Sequence, residues 1–448
     1  MTNIKVNFDN IIGKIKPMHA VGQPPFLGTD CATFSYLKDA NIPYARLHDV
    51  GGTYGGSKYV DIPNVFPNFD ADENDPASYS FEYTDFLITN LMEYGCEPIY
   101  RLGVTIENDV LKGFAPRYIN PPSDYEKWAR VCEHIIRHYN EGWANGFHYN
   151  IKYWEIWNEP ENGIWGDPEL PANQMWTGTD EDYYRLYVTT AKHLRACFGN
   201  TIKIGGYSSS GLYTILEEPE KYGFREELYM STKKQHHHMT DFFHEFFEYI
   251  KKGNAPIDFF SWHMYEDAER AGVVADALAD MLAEHGYGDI ETHLNEWNTA
   301  HTRATRGTSY AAASSAAMLM KMQNKKTDML CFYDARIGTS VYGGMFNPMT
   351  YEPLCTYYPF LAFGEMYSLE NQVECQLNEY RVYALAAANG DKKSLMIANT
   401  SGKDIDIETN VSGFDVYLID ENHFMTKEEM SSSSLKLLNN QTVYIKNF

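Results

Sequence analysis

Hydrophobic and polar positions change period in a regular way over the first four-fifths of the chain. From about residue 14 to 365, short alternating or wholly apolar runs are followed by longer runs with apolar residues three and four apart, the periods of strand and helix. Runs at 41–48, 96–102, 150–157, 201–205, 257–265, 290–298 and 328–334 predict seven strands. An eighth, first in order, is expected near 20–26, where Pro24 and Pro25 limit its ladder. Helices are expected at 30–40, 81–94, 123–139, 180–198, 240–252, 268–285, 308–323 and 357–369, with Ser123, Thr179 and Thr240 as caps. The stripe Phe242, Phe243, Phe246, Phe247, Ile250 marks the buried face of one of them.

Eight strand–helix units in alternation predict an α/β protein with a parallel sheet, and eight is the number that closes a (β/α)8 TIM barrel. The barrel is expected over residues 14–360. That is longer than the ~250 residues of a typical barrel, so its loops must be long. The clearest is 50–80, with Gly51, Gly52, Gly55, Gly56 and four Asp. A doubly wound open sheet is the alternative, but no Gly-rich fingerprint follows an early strand. Beyond residue 380 the pattern turns to short alternating runs broken by Asn389-Gly390, Ser401-Gly402, Ser412-Gly413 and Asn439-Asn440, which is antiparallel sheet with hairpin turns. An accessory C-terminal β-sandwich is therefore expected over 361–448, with an N-terminal strand from residues 1–13 joining it.

Charge narrows the partners. With 37 Lys plus Arg against 61 Asp plus Glu, the net charge is −24, which excludes broad electrostatic binding to nucleic acid or to an anionic membrane. No run approaches the ~18 apolar residues of a membrane span. The seven cysteines are scattered without a CxxC pair, which argues against a zinc ribbon or a disulfide framework and fits a reducing compartment. No basic-then-apolar leader opens the chain, and a cytoplasmic location is expected. The loop at 50–80 has the length to reach a neighbouring subunit, so a homo-oligomer is an open expectation.

Aromatics reach 15% and include 8 Trp. Six of these (Trp154, Trp157, Trp165, Trp176, Trp262, Trp297) fall in or just after the fourth, sixth and seventh barrel strands. They predict a cleft lined by flat apolar faces with polar tips.

Two strand ends carry the candidate chemistry. The fourth strand runs Tyr153-Trp154-Glu155-Ile156-Trp157-Asn158-Glu159-Pro160, and Pro160 ends its ladder. Strict alternation puts Trp154, Ile156 and Asn158 on one face and Glu155, Trp157 and Glu159 on the other. The seventh runs His293-Leu294-Asn295-Glu296-Trp297-Asn298. Active sites of such barrels sit at the C-terminal ends of the strands, and strands four and seven face each other across the ring. Two opposed carboxylates, Glu159 and Glu296, are what glycoside hydrolysis requires: one protonated to serve the leaving oxygen, one ionised to attack or to activate water.

These segments, with Ser261-Trp262-His263-Met264-Tyr265 on strand six, resemble glycoside hydrolase family 39, within the clan of (β/α)8 retaining glycosidases. The resemblance covers most of the chain, since that family joins its barrel to a β-sandwich built from both chain ends. It implies a retaining, exo-acting β-xylosidase-like enzyme on short xylo-oligosaccharides or β-xylosides, with no cofactor. It implies Glu159 as acid/base, Glu296 as nucleophile and Asn158 as the partner of the sugar 2-hydroxyl. His263 and Tyr265 would line the subsite of the cleaved sugar, Tyr265 orienting the nucleophile. His48, at the end of strand two, would bind ring hydroxyls, and Trp297 stands in the family's Glu-Trp-Asn element as a further substrate contact. Strand eight departs from the family's Trp-rich pattern and reads Phe332-Tyr333-Asp334-Ala335-Arg336. Asp334 or Arg336 could touch substrate there, which leaves an arabinosidase, galactosidase or glucosidase open.

Other features weigh less. His236-His237-His238 resembles a metal tract but is expected in a solvated loop, and with no His-x-x-x-His or Glu-x-x-His helix beside it no metal is expected. Glu217-Glu218-Pro219-Glu220 is expected to be a solvated loop near the cleft. A non-catalytic sugar-binding barrel would need no facing carboxylates, and a metal-dependent hydrolase would lose activity to a chelator.

Overall fold

A computed structural model describes residues 2–26, 31–50, 59–105, 118–164, 166–171, 173, 175–217, 233–299, 302–338 and 342–448. The first strand, β1 (Thr2–Lys14), leads away from the barrel into the C-terminal sheet. Then β2 (Ala20–Gly22), β3 (Tyr44–Leu47), β4 (Glu97–Leu102), β5 (Tyr153–Ile156), β6 (Lys203–Ser209), β7 (Phe259–Met264), β8 (Glu291–Trp297) and β9 (Met329–Tyr333) close in order into a parallel barrel. The ring is sealed by pairing of β2 with β9. All eight expected strands are present, so the fourth and seventh barrel strands are β5 and β8.

The helices are α1 (Phe34–Asp39), α2 (Ile62–Val65), α3 (Glu82–Glu93), α4 (Tyr125–Glu141), α5 (Asp180–Phe198), α6 (Lys233–Lys252), α7 (Ala268–His285), α8 (Ser309–Gln323) and α9 (Tyr357–Ser368). Thr179 caps α5 in a reciprocal box with Asp182. Two expected caps are corrected. Asp124, not Ser123, accepts from the Lys127 N–H at the start of α4. Thr240 lies inside α6, which begins nearly two turns earlier, and its hydroxyl bonds back to the His236 carbonyl. The Phe242 stripe is core, every member being 1% exposed or less.

Beyond α9 come β10 (Asn371–Gln376), β11 (Val382–Asn389), β12 (Lys392–Asn399), β13 (Ile405–Thr409), β14 (Asp415–Asp420), β15 (His423–Glu428), β16 (Ser434–Leu437) and β17 (Gln441–Lys446). With β1 they form a curled, sandwich-like mixed sheet in the order β15-β14-β17-β12-β11-β10-β1-β13-β16. Period-2 alternation gives the sheet two buried faces. Ala386, Leu395, Ile397, Val443 and Ile445 enclose its own core with Ile4 and Val6. Leu385, Ala387, Met396, Ala398 and Tyr444 point the other way and join the barrel's core. The last barrel helix, α9, runs through residue 361, where the sandwich was expected to begin, and stacks Phe360 against Trp297 of β8.

One close approach fixes α9 on α1. A Cβ on Gly364 would lie 1.8 Å from the Ala40 carbonyl oxygen, a backbone atom that cannot step aside. Gly364→Ala should gain up to about 1 kcal/mol of helix propensity and lose about 1–3 kcal/mol to overpacking. A lowered urea midpoint is expected, and an equal or higher one would show that the two helices separate at little cost.

Candidate active site

The barrel interior is layered. At its N-terminal end Ala20, Ile99, Tyr153, Phe259, Met329 and Cys331 form an apolar plug. Above the plug lies a buried ionic layer centred on Arg46 of β3. Its Nε donates to Glu155 Oε2 at 2.8 Å, and its Nη1 donates to Glu296 Oε1 at 2.7 Å. Its Nη2 donates to Asn158 Oδ1 at 2.6 Å and Ser208 Oγ at 2.7 Å. Burial alone would lower the guanidinium's pKa, but Glu155 and Glu296 outweigh it and hold the charge in place. Asn295 of β8 completes the layer by donating to Glu155 Oε1 at 2.5 Å.

Above this layer the strands open into a cavity of about 340 Å³, lined by both carboxylates, His48, Asp49, Asn158, Asn162, Ser210, Tyr213, Gln235, His236, Met239, Tyr265, Tyr333 and Tyr342. Asn158 and Glu159 both face it, which strict alternation does not allow. The alternation stops at Ile156, because Trp157 and Glu159 take φ of 73° and 48°. Such left-handed conformations cost non-glycine residues about 1–3 kcal/mol and persist where surrounding contacts impose them. Here the Glu159 N–H is held by the carbonyls of Tyr207 and Ser208, at 3.2 and 3.1 Å. The turn sends Trp157 outward, where its indole donates to the Met175 carbonyl and meets Trp176 edge-on. In β8, a register irregularity between Leu294 and Trp297 likewise lets Asn295 and Glu296 both face inward.

The two carboxylates are joined through His263 of β7. Its Nδ1 lies 2.7 Å from Glu159 Oε1 and 3.5 Å from Glu296 Oε2. Its Nε2 lies 2.7 Å from Ser208 Oγ. That hydroxyl already donates to Asn295 Oδ1 and accepts from Arg46, so it accepts from Nε2–H as well. The imidazole proton facing Glu159 is therefore a second one, shared in the Nδ1···Oε1 hydrogen bond. The electrostatics agree: burial would lower His263, but Glu296 and Glu159 raise it above the ordinary imidazole range. Burial would raise Glu159, but the His263 hydrogen bond and charge, Asn162 and Arg46 bring it below the ordinary range. Both directions favour the imidazolium–carboxylate form of this hydrogen bond.

Glu296 differs. Burial, with the nearby Glu159 charge, raises its carboxyl above the ordinary range, against the pull of His263, Arg46 and Tyr265. Tyr265, expected beside the nucleophile, donates its hydroxyl to Glu296 Oε2 at 2.7 Å. These directions set a pH profile. A Glu296 acting as nucleophile would have to be ionised, so activity would fall as pH drops through its raised pKa. An acid at Glu159 would need the proton it shares with His263, so activity would fall as pH rises through the raised His263 value. The bell of kcat/KM should thus have its acid limb above the usual carboxylate range and its basic limb above the usual imidazole range. Glu159→Ala should lose the basic limb that the wild type shows on the same glycoside with a poor leaving group; its persistence would remove Glu159 from that role.

The remaining expectations divide. His48 lines the cavity. Its Nδ1 accepts from Arg101 Nε at 3.2 Å, which fixes Nε2 as the donor. Burial first, then the Arg101 and Arg46 charges, lower its pKa well below the ordinary range, so it is a neutral donor. Two expected contacts are not at the mouth. Trp297 is fully buried on the outer side of β8, its indole stacked on Phe360 and edge-on to Phe332. Asp334 is fully buried behind the cavity, its Oδ2 held by Arg336 Nε and Nη2 at 3.0 and 2.8 Å. Arg336 is thereby neutralised, and Tyr333, whose hydroxyl donates to Asp49 Oδ2 at 2.8 Å, takes the forward position on strand eight.

The Trp-lined cleft is also corrected. Trp154, Trp157, Trp176, Trp262 and Trp297 are all 2% exposed or less and pack the layer between strands and helices, while Trp165 lies outside the described residues. Tyrosines line the cavity instead, with Tyr265, Tyr333 and Tyr342 in mutual ring contact at 5.1–6.3 Å. Residues the sequence did not mark include Arg46, Asp49, Tyr213, Gln235 and Glu161. Glu161 is fully buried beneath Glu159 and accepts from Ser209 Oγ and from the N–H and hydroxyl of Ser210. Burial and the Glu159 charge push its carboxyl up to about 7. His236 lines the cavity from α6 rather than lying in a solvated loop.

Donor atoms of Glu159, His263 and Glu296 lie within 4.8 Å of one another, close enough to hold a metal ion. The Arg46 guanidinium and the Tyr265 hydroxyl already donate to the two oxygens of Glu296. Among the described residues no helix is long and apolar enough to cross a membrane.

A closed parallel barrel with one carboxylate after its fourth strand, another ending its seventh and a tyrosine-walled cavity between them defines a glycoside hydrolase of the (β/α)8 class. Residues 61–342 match the family model of Glycosyl hydrolases family 39. The chain belongs to that family. It is 23% identical to a β-xylosidase of Geobacillus stearothermophilus over 194 residues, 42% of this chain and 31% of that relative's length. Its fold is similar to that of a glucosidase from Croceicoccus marinus, with a TM-score of 0.77 and 19% identity over 100% of this chain and 98% of the other. A family 39 β-xylosidase from Caulobacter crescentus follows, with a TM-score of 0.69 and 13% identity over 99% of both chains.

Proposed function

We propose that this glycoside hydrolase acts with retention of configuration, releasing single neutral sugars from β-xylosides or short xylo-oligosaccharides inside the cell. The observation that carries the reading is the spacing of the carboxylates: an oxygen of Glu159 and one of Glu296 lie within 4.8 Å. Retaining enzymes hold the pair at about 5–5.5 Å, whereas inverting enzymes need about 6.5–9.5 Å to admit a water.

Glu296 attacks the anomeric carbon as the bond to the leaving oxygen breaks, and that oxygen takes the proton shared by Glu159 and His263. A glycosyl ester on Glu296 results. Glu159 then takes a proton from water, whose oxygen attacks the anomeric carbon and frees Glu296. Asn158 has its carbonyl oxygen fixed by Arg46, which turns its amide N–H groups to the 2-hydroxyl of the sugar. His48 and Asp49 offer a donor and an acceptor to the other hydroxyls.

A neutral sugar is favoured because Arg336 is spent on Asp334 and no lysine or arginine lines the cavity among the described residues. The β-xylosidase of Geobacillus stearothermophilus supports xylose as that sugar, and the tyrosine wall on one side of the cavity supports exo action. Seven free cysteines support a reducing, cytoplasmic setting. A panel of nitrophenyl glycosides, with the anomeric proton of the first-formed product followed by NMR, tests the reading. Cleavage of the β-xyloside to β-xylose is expected. An α product would overturn retention, and preference for another glycoside would overturn the sugar.

A further inference from the structure

We propose that the first turn of α6, together with Tyr213, forms the leaving-group subsite, and that it accepts a second sugar ring. The inference rests on Glu159 as the proton donor, because that role makes the Glu159 side of the cavity the leaving-group side. A chain of hydrogen bonds ties α6 to that side. Asn162 Nδ2 donates to Glu159 Oε2 at 3.0 Å, and Gln235 Nε2 donates to Asn162 Oδ1 at 2.9 Å. The acid/base and the first turn of α6 therefore hold their positions together.

The chemistry of this wall fits a sugar. The His236 imidazole stacks on Tyr213 with centroids 5.0 Å apart and planes at 26°, and Met239 lies one turn further along the helix. This gives an apolar wall of two rings and a thioether, rimmed by the amides of Gln235 and Asn162. A pyranose presents the matching halves, a C–H face for the rings and hydroxyls for the amides. An alkyl aglycone would leave the polar rim of this wall with nothing to bond on the ligand side. A phosphorylated aglycone would meet no lysine or arginine among the described lining residues: burial lowers the pKa of His236, and the Glu217 carboxylate lies 4.0 Å from it. The extension of α6 ahead of Thr240 is what brings Gln235 and His236 to the cavity.

The test compares two substrates of one sugar, its β-linked disaccharide and its glycosyl fluoride, whose leaving group is too small to reach α6. In His236→Ala and Gln235→Ala the ratio of kcat/KM for the disaccharide to that for the fluoride should fall roughly tenfold or more. His236→Phe, which keeps a flat ring on Tyr213, should recover most of the ratio. A ratio within twofold of wild type in both alanine variants would overturn the proposal while leaving the hydrolase reading intact. Failure of the wild type to cleave either substrate would overturn both.

Discussion

Replacing Glu296 by glycine should lower kcat by roughly 10⁴-fold or more, the scale on which removal of a covalent nucleophile acts, and azide should restore turnover of an activated aryl glycoside. The cavity explains both halves. Glu296 is 5% exposed and held in place by Arg46 and Tyr265. Glycine opens a space lined by those two donors, which suits a small anion. The rescued product should be the α-glycosyl azide, because azide attacks from the face Glu296 used. Turnover close to wild type without azide would mean that Glu296 forms no covalent intermediate.

Replacing Arg46 by methionine is expected to have the largest effect on stability. The guanidinium is fully buried and compensates two buried carboxylates, Glu155 and Glu296, while also holding Asn158 and Ser208. Removing one partner of such a group leaves charge without compensation in a low-dielectric interior and costs about 3–5 kcal/mol. Glu155→Gln in the same chain removes one of the orphaned charges and should recover at least about 1 kcal/mol, a coupling that a double-mutant cycle of urea unfolding measures. The acid limb of the pH profile should also move up, since Arg46 is one of the groups that lower Glu296. A loss under about 1 kcal/mol would mean that Arg46 is not the centre of the barrel's ionic layer.

The barrel was legible because its signal is local and repeated. Each strand announced itself by apolar runs and each helix by its spacing, and the order of units is enough to close the ring. Glu159 and Glu296 were legible for the same reason, standing at the ends of recognisable strands. What escaped is set by contacts between distant segments. Nothing near Trp157 signals a left-handed backbone; it follows from the Glu159 N–H reaching the end of β6. Arg46 reads as an ordinary polar residue in Arg46-Leu47-His48, and only the closed ring brings Glu155, Asn158, Ser208 and Glu296 around it. Three successive histidines and a threonine are weak helix formers, so α6 was expected to begin at Thr240. The stacking of His236 on Tyr213 and the burial of Met239 carry the helix further. The tryptophans misled because a large flat ring serves a core as well as a cleft. They do lie in or just after barrel strands, but the five described pack the layer between strands and helices.

Trapping of the glycosyl-enzyme is the most direct measurement. A 2-deoxy-2-fluoro glycoside with a good leaving group slows breakdown of the ester, so the protein should gain the mass of one sugar. Peptide mapping should then find the label on Glu296. A label on any other residue, or an inverted product with no covalent adduct, would contradict the assignment of Glu296 and Glu159 as nucleophile and acid/base.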